Sequence, residues 1–377
     1  MNVRRLRAVA RKELLHIIRD PRSLVLAIGI PMLMIVMFGY ALTLDVDRVP
    51  VVVWDQSGTT VSRDYIARFT GSRYFSFVGR VASTSELEHA IDRRDAVLAL
   101  VIPPDFAQRI EAGRPAPVQA IIDGSDSNTG AIVLGYTQAI TLGFNQQVLL
   151  EQVQRLGAGG ATGVLDVRPR VWFNADLESK NFIIPGLIAV IMGLIAALLT
   201  SLTIAREWER GTMEQLISTP VKPVELILGK LAPYFVIGMI DVLIAVLMAV
   251  FLFHVPLRGS VPLLFAMAAL FIVGTLSQGI LLSIIARQQL LASQLAMVST
   301  FLPAFLLSGF MFAIANMPIP VQVITYIVPA RYFVALVKGI YQRGVGLETL
   351  WKDALFLVLF ATIVLGLAIA KFRKKLQ

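Results

Sequence analysis

Long apolar stretches separated by short polar ones dominate the sequence. A helix rises about 1.5 Å per residue, so about 20 consecutive apolar residues cross the hydrocarbon core of a bilayer. Six stretches approach or exceed that length, and we predict a transmembrane helix in each. In chain order they are Ser23–Leu44, Phe182–Ile204, Leu226–Phe253, Val261–Ala286, Leu290–Phe312 and Ala354–Ala370, the last extended by Leu350 and Trp351.

The chain before the first stretch, residues 1–22, predicts an amphipathic helix over residues 3–19. Leu6, Ala10, Leu14 and Ile17 share one helical face, and most of the arginines lie on the others. This pattern favours a helix in the membrane interface, with its arginines on anionic headgroups. The alternative is a plain basic flank that only sets orientation. Asp20 should end the helix, because a residue before proline disfavours helical backbone.

Residues 45–180 have a different pattern, which predicts a small α/β domain. Short β-branched runs alternate with helical ones, and a long helix with apolar positions at helical spacing follows. That helix is either a stalk or packed on the sheet. The predicted strands are Val49–Trp54, Tyr74–Val78, Ala96–Ile102 and Val118–Ile122, and the predicted helices are Thr60–Phe69, Ser85–Arg93 with a Ser85/Glu88 capping box, Pro104–Glu111 and Asn128–Leu156.

The apolar stretch over residues 313–345 contains three prolines, which exclude one straight helix. We predict a re-entrant or surface helical hairpin on the outer side of the membrane. The basic residues Arg331, Lys338 and Arg343 would then lie on a helix at the interface.

Composition and charge agree with a membrane protein. Hydrophobic residues make up 56% of the chain, more than soluble proteins carry, and the mean hydropathy is +0.73. The net charge of +9 comes mainly from the ends, with seven Lys and Arg in residues 1–22 and four in the last seven residues. Such basic ends predict cytoplasmic termini, an even number of spans and no nucleic-acid partner. Cysteine is absent, which excludes disulfides.

A polar segment at 206–222 connects the second and third spans. Gly211 indicates a helix break, and Thr212 with Gln215 is typical of a capping box, so we predict a short helix over Met213–Ser218. Pro220 and Pro223 then restart the chain into the next span. The alternative is a charged connector that only stays out of lipid.

This segment, with the pattern R-E-x-E-x-G-T-x-E-x-L, resembles the coupling segment of ABC-2-type exporter permeases. The run S-G-F-x-F…N-M-P…P-x-R-Y-F before the last span also resembles that family, in the subfamily with a large extracytoplasmic domain between the first two spans. Ala175, Ala313 and Ala315 depart from the family pattern, which tends to have Pro at the first position and often has Pro and an acid at the other two. The resemblance implies an α-helical polytopic membrane protein with six transmembrane helices and an inserted α/β extracytoplasmic domain.

The resemblance also implies partners and roles. The sequence has no phosphate loop, since Gly229-Lys230 lacks the upstream glycine and the following hydroxyl. ATP is therefore expected on a separate cytoplasmic ATPase, and this chain on its own is expected to be no enzyme and to hold no cofactor or metal. A second permease copy or a paralogue, and a periplasmic adaptor, are the other expected partners of this inner-membrane exporter of amphipathic or hydrophobic substrates. The expected coupling residues are Glu207, Glu209, Arg210 and Glu214 against the ATPase, and Gly211 and Thr212 in the turn.

One acid, Asp241, lies in the middle of a predicted span. Intramembrane acids are costly, so this one is a functional candidate. It either forms a polar site or makes a hydrogen bond to a neighbouring helix or subunit. An ion-coupled secondary transporter that uses Asp241, and a membrane sensor or scaffold with a ligand-binding domain, are the alternative functions. Lys230, near the cytoplasmic end of the same span, is expected to extend toward water.

Overall fold

The structure is a computed structural model that describes residues 2–41, 48–155 and 178–372. It divides into two compact units, one formed by Met1–Thr43 with Val171–Gln377 and the other by Leu44–Arg170. The end of the predicted first span at Leu44 and most of the basic tail lie outside the described residues.

Two helical runs form the start of the first unit. Helix α1 is Val3–Arg19, and the Asn2 side chain caps it by accepting a hydrogen bond from Arg4 N. After Asp20 come α2 (Pro21–Leu24), a π-helical turn (Val25–Gly29) and α3 (Ile30–Ala41). The apolar helix Ala27–Ala41 within this run is shorter than the other spans.

Helix α1 packs against the rest of the unit through a face that includes an acid. Ile17 and Glu13 are buried, and Leu14 is 40% exposed. Glu13 faces inward because α1 packs on helix α10 (Pro223–Leu247), where this carboxylate meets a buried cation. A periodicity count assigns a charged residue to the outer face whenever its partner is not visible in the sequence.

The second unit is the predicted α/β domain. Its sheet has the strand order β2-β1-β3-β4, with β2, β1 and β3 parallel and β4 antiparallel to β3. In chain order the elements are β1 (Val49–Asp55), α4 (Thr60–Thr70), β2 (Phe75–Arg80), α5 (Thr84–Asp92), β3 (Leu98–Ile102), α6 (Phe106–Glu111), β4 (Gln119–Ile122) and α7 (Ser127–Arg155).

The long helix α7 packs on the sheet, which decides between the two predicted arrangements. Val133 and Phe144 of α7 are buried in one apolar cluster with Leu100 of β3. On the other face of the sheet, Leu87 of α5 packs against Ala99.

The predicted capping box of α5 was wrong by two residues, because Ser83 and not Ser85 caps this helix. The Ser83 Oγ accepts a hydrogen bond from Glu86 N at 3.2 Å. Glu86 in turn accepts from Ala82 N. Both Ser83 and Ser85 have a glutamate three residues later, so the sequence pattern fits either register.

The rest of the first unit is helical. In chain order it contains α8 (Ser179–Glu209), α9 (Thr212–Ser218), α10 (Pro223–Leu247) with a π-helical turn (Met248–Leu252), α11 (Val261–Ala286), α12 (Gln289–Ala296), a π-helical turn (Met297–Phe301), α13 (Leu302–Leu307), a 3-10 turn (Ile314–Asn316), α14 (Ile319–Thr325), α15 (Pro329–Lys338), a π-helical turn (Gly339–Arg343) and α16 (Leu347–Lys371).

Five of these helical segments are long and apolar enough to cross a membrane, and they match the second to sixth predicted spans. They are Ser179–Glu209, Pro223–Leu252, Val261–Ala286, Gln289–Leu307 and Leu347–Lys371. The pair Ile319–Thr325 and Pro329–Arg343 is bent by 83° at the break before Pro329. That bend lies in the region where the prolines exclude a straight helix. The chain is therefore a polytopic helical membrane protein with an inserted α/β unit.

Helix α8 is the most buried of the long apolar helices, and it packs closely against α11. Thr200 Oγ1 of α8 donates to the carbonyl of Leu276 at 2.9 Å. One turn further along α11, Gly279 lies so near α8 that an added Cβ would stand 2.3 Å from the Ala197 carbonyl oxygen. Small residues at such crossings let helix backbones approach closely.

Candidate coupling site

The polar segment between α8 and α10 is mostly helical. Helix α8 continues through Glu209, so only Arg210 and Gly211 separate it from α9, and the non-helical residues 219–222 connect α9 to α10. Gly211 has φ +69°, a left-handed conformation that glycine adopts without strain. The predicted helix break at this residue is confirmed, and the short helix after it begins one residue earlier than predicted.

Thr212 does not cap this short helix as predicted. It is the first residue of α9, and its hydroxyl bonds back to the carbonyl and the carboxylate of Glu207 in the last turn of α8. The predicted capping box with Gln215 was therefore wrong. A threonine beside a glycine turn can form a hydrogen bond with either neighbouring helix. Here the Thr212 hydroxyl donates to the carboxylate of Glu207 in α8.

The helix α9 is fixed at both ends. Met213 at its start is buried in the apolar core of the unit. After its end, Pro223 occupies the first turn of α10, where its missing N–H is not needed. Glu225 in that turn accepts hydrogen bonds from Lys222 N at 3.0 Å and Asn2 N at 2.6 Å. Residues 210–222 are therefore packed against the first unit and hydrogen-bonded to it.

Four charged side chains near the Gly211 turn form ion pairs with one another. We call these residues, Lys12, Glu13, Glu207 and Lys230, the charge cluster. Lys230 is 1% exposed and Glu13 is 4% exposed, and the two form an ion pair. Lys230 Nζ also lies 3.3 Å from Glu207 Oε1, which Lys12 approaches at 2.8 Å from the solvent side. Two ammonium groups therefore balance two carboxylates, which is the condition for burying them.

The charge cluster joins three helices, α1, α8 and α10. Two further contacts extend this bridge: Arg5 Nη1 donates to the Pro220 carbonyl at 2.6 Å, and Arg206 Nη1 lies 2.7 Å from His16 Nε2. A guanidinium only donates, so His16 Nε2 accepts. With Asn2 bonded to Glu225, α1 contacts the segment from its end at α10 to its start at α8.

Sequence reasoning missed Lys12, Glu13 and His16 and misplaced Lys230. The expectation that Lys230 extends toward water was wrong, because α1 covers that face of α10 and supplies Glu13 as its partner. A signal was present, since Glu13 is the sole acid among the first 19 residues of a strongly basic segment. A single acid in such a segment suggests an ion pair with a basic residue elsewhere in the chain.

The expected coupling residues separate into two groups. Glu207 is in the charge cluster, and Glu209 Oε1 accepts from Gln289 N at 2.7 Å at the start of α12. Arg210 and Glu214 are exposed on the turn and on α9. The side chains of Glu207 and Glu209 therefore bond within this chain, and Arg210 and Glu214 present charge to solvent.

Asp241 lies away from this site, eleven residues beyond Lys230 on α10, or about 16 Å along the helix axis. It is 2% exposed, and among the described residues its Oδ1 has no hydrogen-bond partner. The structure brings no second charged group of the expected set to it.

Replacement of Asp241 tests whether its carboxyl group contributes to folding. An unsatisfied buried carboxyl costs about 1–3 kcal/mol, so Asp241→Leu is expected to raise the free energy of unfolding by that order. Denaturant titration in lipid–detergent micelles measures it, with Asp241→Asn as the variant of unchanged shape. A loss of more than about 2 kcal/mol in both variants would mean that Asp241 bonds a group important for folding.

The chain is similar to known membrane transport proteins. The sequence pattern of the family described as "ABC-2 family transporter protein" matches residues 21–370. The probable multidrug ABC transporter permease YbhS of Escherichia coli (strain K12) is 40% identical over 99% of this chain and 98% of its own length. The probable multidrug ABC transporter permease YbhR of the same strain is 28% identical over 99% of both chains. ABC transporter G family member 20 of Dictyostelium discoideum is 24% identical over 54% of this chain and 28% of its own.

Proposed function

The chain belongs to the ABC-2 family of transporter membrane proteins, and from that premise we propose that it is the permease subunit of an ATP-driven exporter. The observation that carries the proposal is the exposed charged turn at Arg210 and α9, which the charge cluster holds between two membrane-crossing helices. The chain itself is a transport subunit, and ATP is bound and hydrolysed by a separate cytoplasmic ATPase.

The coupling mechanism follows from the connections of α9. Arg210 and Glu214 dock on the ATPase, and closure of the ATPase pair moves the turn. Motion passes directly into α8, which continues through Glu209 to the turn, and into α10 through Glu225 and Lys230. The helix α1, bonded at both ends of the segment, moves with them. Rigid helix shifts of this kind change access to a central path.

Orientation and assembly complete the proposal. The basic face of α1 lies at the same end of the unit as the turn, so both are cytoplasmic by the positive-inside rule. The inserted α/β unit is then extracytoplasmic, where an envelope adaptor can reach it. The protein lies in the bacterial inner membrane and works with a second copy or a paralogue, since a substrate path between two halves needs both.

The substrate class is an amphipathic or hydrophobic molecule. Two relatives are named as probable multidrug permeases. The spans of this chain carry apolar residues on their exposed faces, among them Leu243 and Val298. These faces suit molecules that enter from lipid.

Charge reversal on the turn tests the proposal. In Arg210→Glu/Glu214→Lys, like charges would meet across the ATPase interface, which costs several kcal/mol. We expect at least about a tenfold loss of the P-loop ATPase that co-purifies with the tagged chain in mild detergent.

Two controls make the pull-down decisive. Glu348→Lys reverses an exposed acid in the first turn of α16 and should leave ATPase recovery unchanged. Size-exclusion chromatography checks that the double variant keeps its assembly state. Equal ATPase recovery with wild type and the double variant would remove Arg210 and Glu214 from the interface. Absence of any ATPase after crosslinking would overturn the exporter proposal.

A further inference from the structure

The inserted α/β unit contains a cavity of about 530 Å³ between the sheet and α7. Its floor is formed by Leu100 and Ala120, which are paired across β3 and β4 and therefore point to the same face. Ala120 is exposed at the edge strand, and its small side chain leaves open space where a larger residue would fill the sheet face. Pockets of 300–1,000 Å³ are typical of small-molecule sites.

The cavity is held open by its rim. Gly113 has φ +66° and ends α6 in a turn, and Pro115 and Pro117 restrict the loop that follows. Arg109 also donates to the Pro115 carbonyl. These restraints limit the conformations of the loop beside Ala120, which favours a preformed space.

The inner wall is aromatic. The buried rings of Tyr65, Phe106 and Phe144 lie against one another, with centroids 5.0 Å apart for Tyr65 and Phe144 and 6.3 Å apart for the nearly parallel Phe106 and Phe144. Such a wall binds a rigid apolar body, because aromatic faces offer large contact areas and lose little conformational freedom.

One edge of this wall is polar, and its hydrogen bonds fix which atoms can receive a ligand. Thr141 Oγ1 donates its single proton to the Thr137 carbonyl at 2.8 Å. In the 2.8 Å bond between Tyr65 and Thr141 the phenol must therefore be the donor. Burial raises the pKa of Tyr65, which keeps that proton in place. The phenol oxygen is left as an acceptor for a ligand hydroxyl.

The mouth of the cavity is cationic. Arg114 lines it and is exposed. Arg68 lies with its guanidinium 5.7 Å from the centre of the Phe144 ring, and Arg109 is paired with Asp105. Of the charges at this end, Arg114 is the one that lines the cavity and can meet a ligand's anion.

We propose that this cavity binds a small amphipathic anion, with a rigid hydroxylated apolar body against the aromatic wall and a carboxylate or sulfonate at Arg114. The inference rests on the α/β unit alone and does not depend on the export function.

Equilibrium binding of radiolabelled cholate to the full chain in lipid nanodiscs tests the proposal, with empty nanodiscs subtracted. Wild type is expected to bind one cholate per chain saturably. Ala120→Trp fills the cavity from an exposed edge position and is expected to weaken binding at least about tenfold. Arg114→Glu should weaken it about fivefold, the order of one exposed charge pair.

Controls separate the site from general effects. Arg93→Glu reverses an exposed charge at the end of α5, which covers the other sheet face, and should bind like wild type. A cationic amine analogue of cholate should bind wild type more weakly than cholate and Arg114→Glu more strongly than wild type. Saturable binding that Ala120→Trp leaves unchanged, or no saturable binding to wild type, overturns the site. Equal binding of anion and cation overturns the assignment of charge.

Discussion

Replacing Lys230 with Met is expected to destabilise the membrane unit by about 3–5 kcal/mol, because it leaves the buried Glu13 without its cation and removes one of the two cations that contact Glu207. Glu13 of α1 and Glu207 of α8 would then be like charges without the ammonium group that both contact. Denaturant titration of the purified chain in lipid–detergent micelles measures the loss. The same variant should lower ATP-dependent export more than ATPase binding, because Arg210 and Glu214 remain exposed while the link from α10 to α1 is cut.

Two further variants test whether charge compensation is the cause. Lys12→Met removes the other cation that contacts Glu207, but this side chain is 58% exposed, so the expected loss is only about 0–1 kcal/mol. Adding Glu13→Gln to Lys230→Met should recover part of the lost stability, because one uncompensated carboxylate is removed. Strictly additive losses in the double variant would show that the pair is not coupled and that packing of the lysine stem explains the effect.

Replacing Gly279 with Ala is expected to cost about 3 kcal/mol, at the upper end of the range for overpacking. The new Cβ would stand 2.1 Å from Thr200 Oγ1 and 2.3 Å from the Ala197 carbonyl oxygen, so α8 and α11 must move apart. Thr200 would also lose its hydrogen bond to the Leu276 carbonyl. The free energy of unfolding in the same micelles measures this cost.

A matched glycine provides the control for that substitution. Gly366 in α16 has no atom within 4 Å of its would-be Cβ, so Gly366→Ala should stabilise the helix by about 0.5–1 kcal/mol. Thr200→Ala added to Gly279→Ala should not restore stability, because the Ala197 backbone still occupies the space. Full rescue by Thr200→Ala would show that the side chain alone, and not the backbone approach, sets the distance between the helices.

Local physics explains how much of the fold the sequence predicts. The five long spans follow from the length of their apolar runs, and the strands of the α/β unit follow from β-branched runs such as Val49–Asp55. Helix ends marked by one residue type were also predictable, as at Gly211, whose left-handed backbone favours glycine, and at Pro223, which suits a first turn. Where two registers fit equally well, as with Ser83 and Ser85, the sequence pattern could not choose.

The candidate site shows where such reasoning ends. The sequence by itself determined a membrane protein with an inserted α/β unit and a short charged turn between two spans, because these depend on runs of neighbouring residues. Only the tertiary structure decided that Lys230 is buried, that Glu13 and not Leu14 faces inward, and that Glu207 and Glu209 bond within the chain while Arg210 and Glu214 face solvent. Glu13 and Lys230 are 217 residues apart, and the cost of burying the Glu13 carboxylate is offset by its ion pair with Lys230. No local pattern can specify a partner at that separation, so helix packing had to supply it.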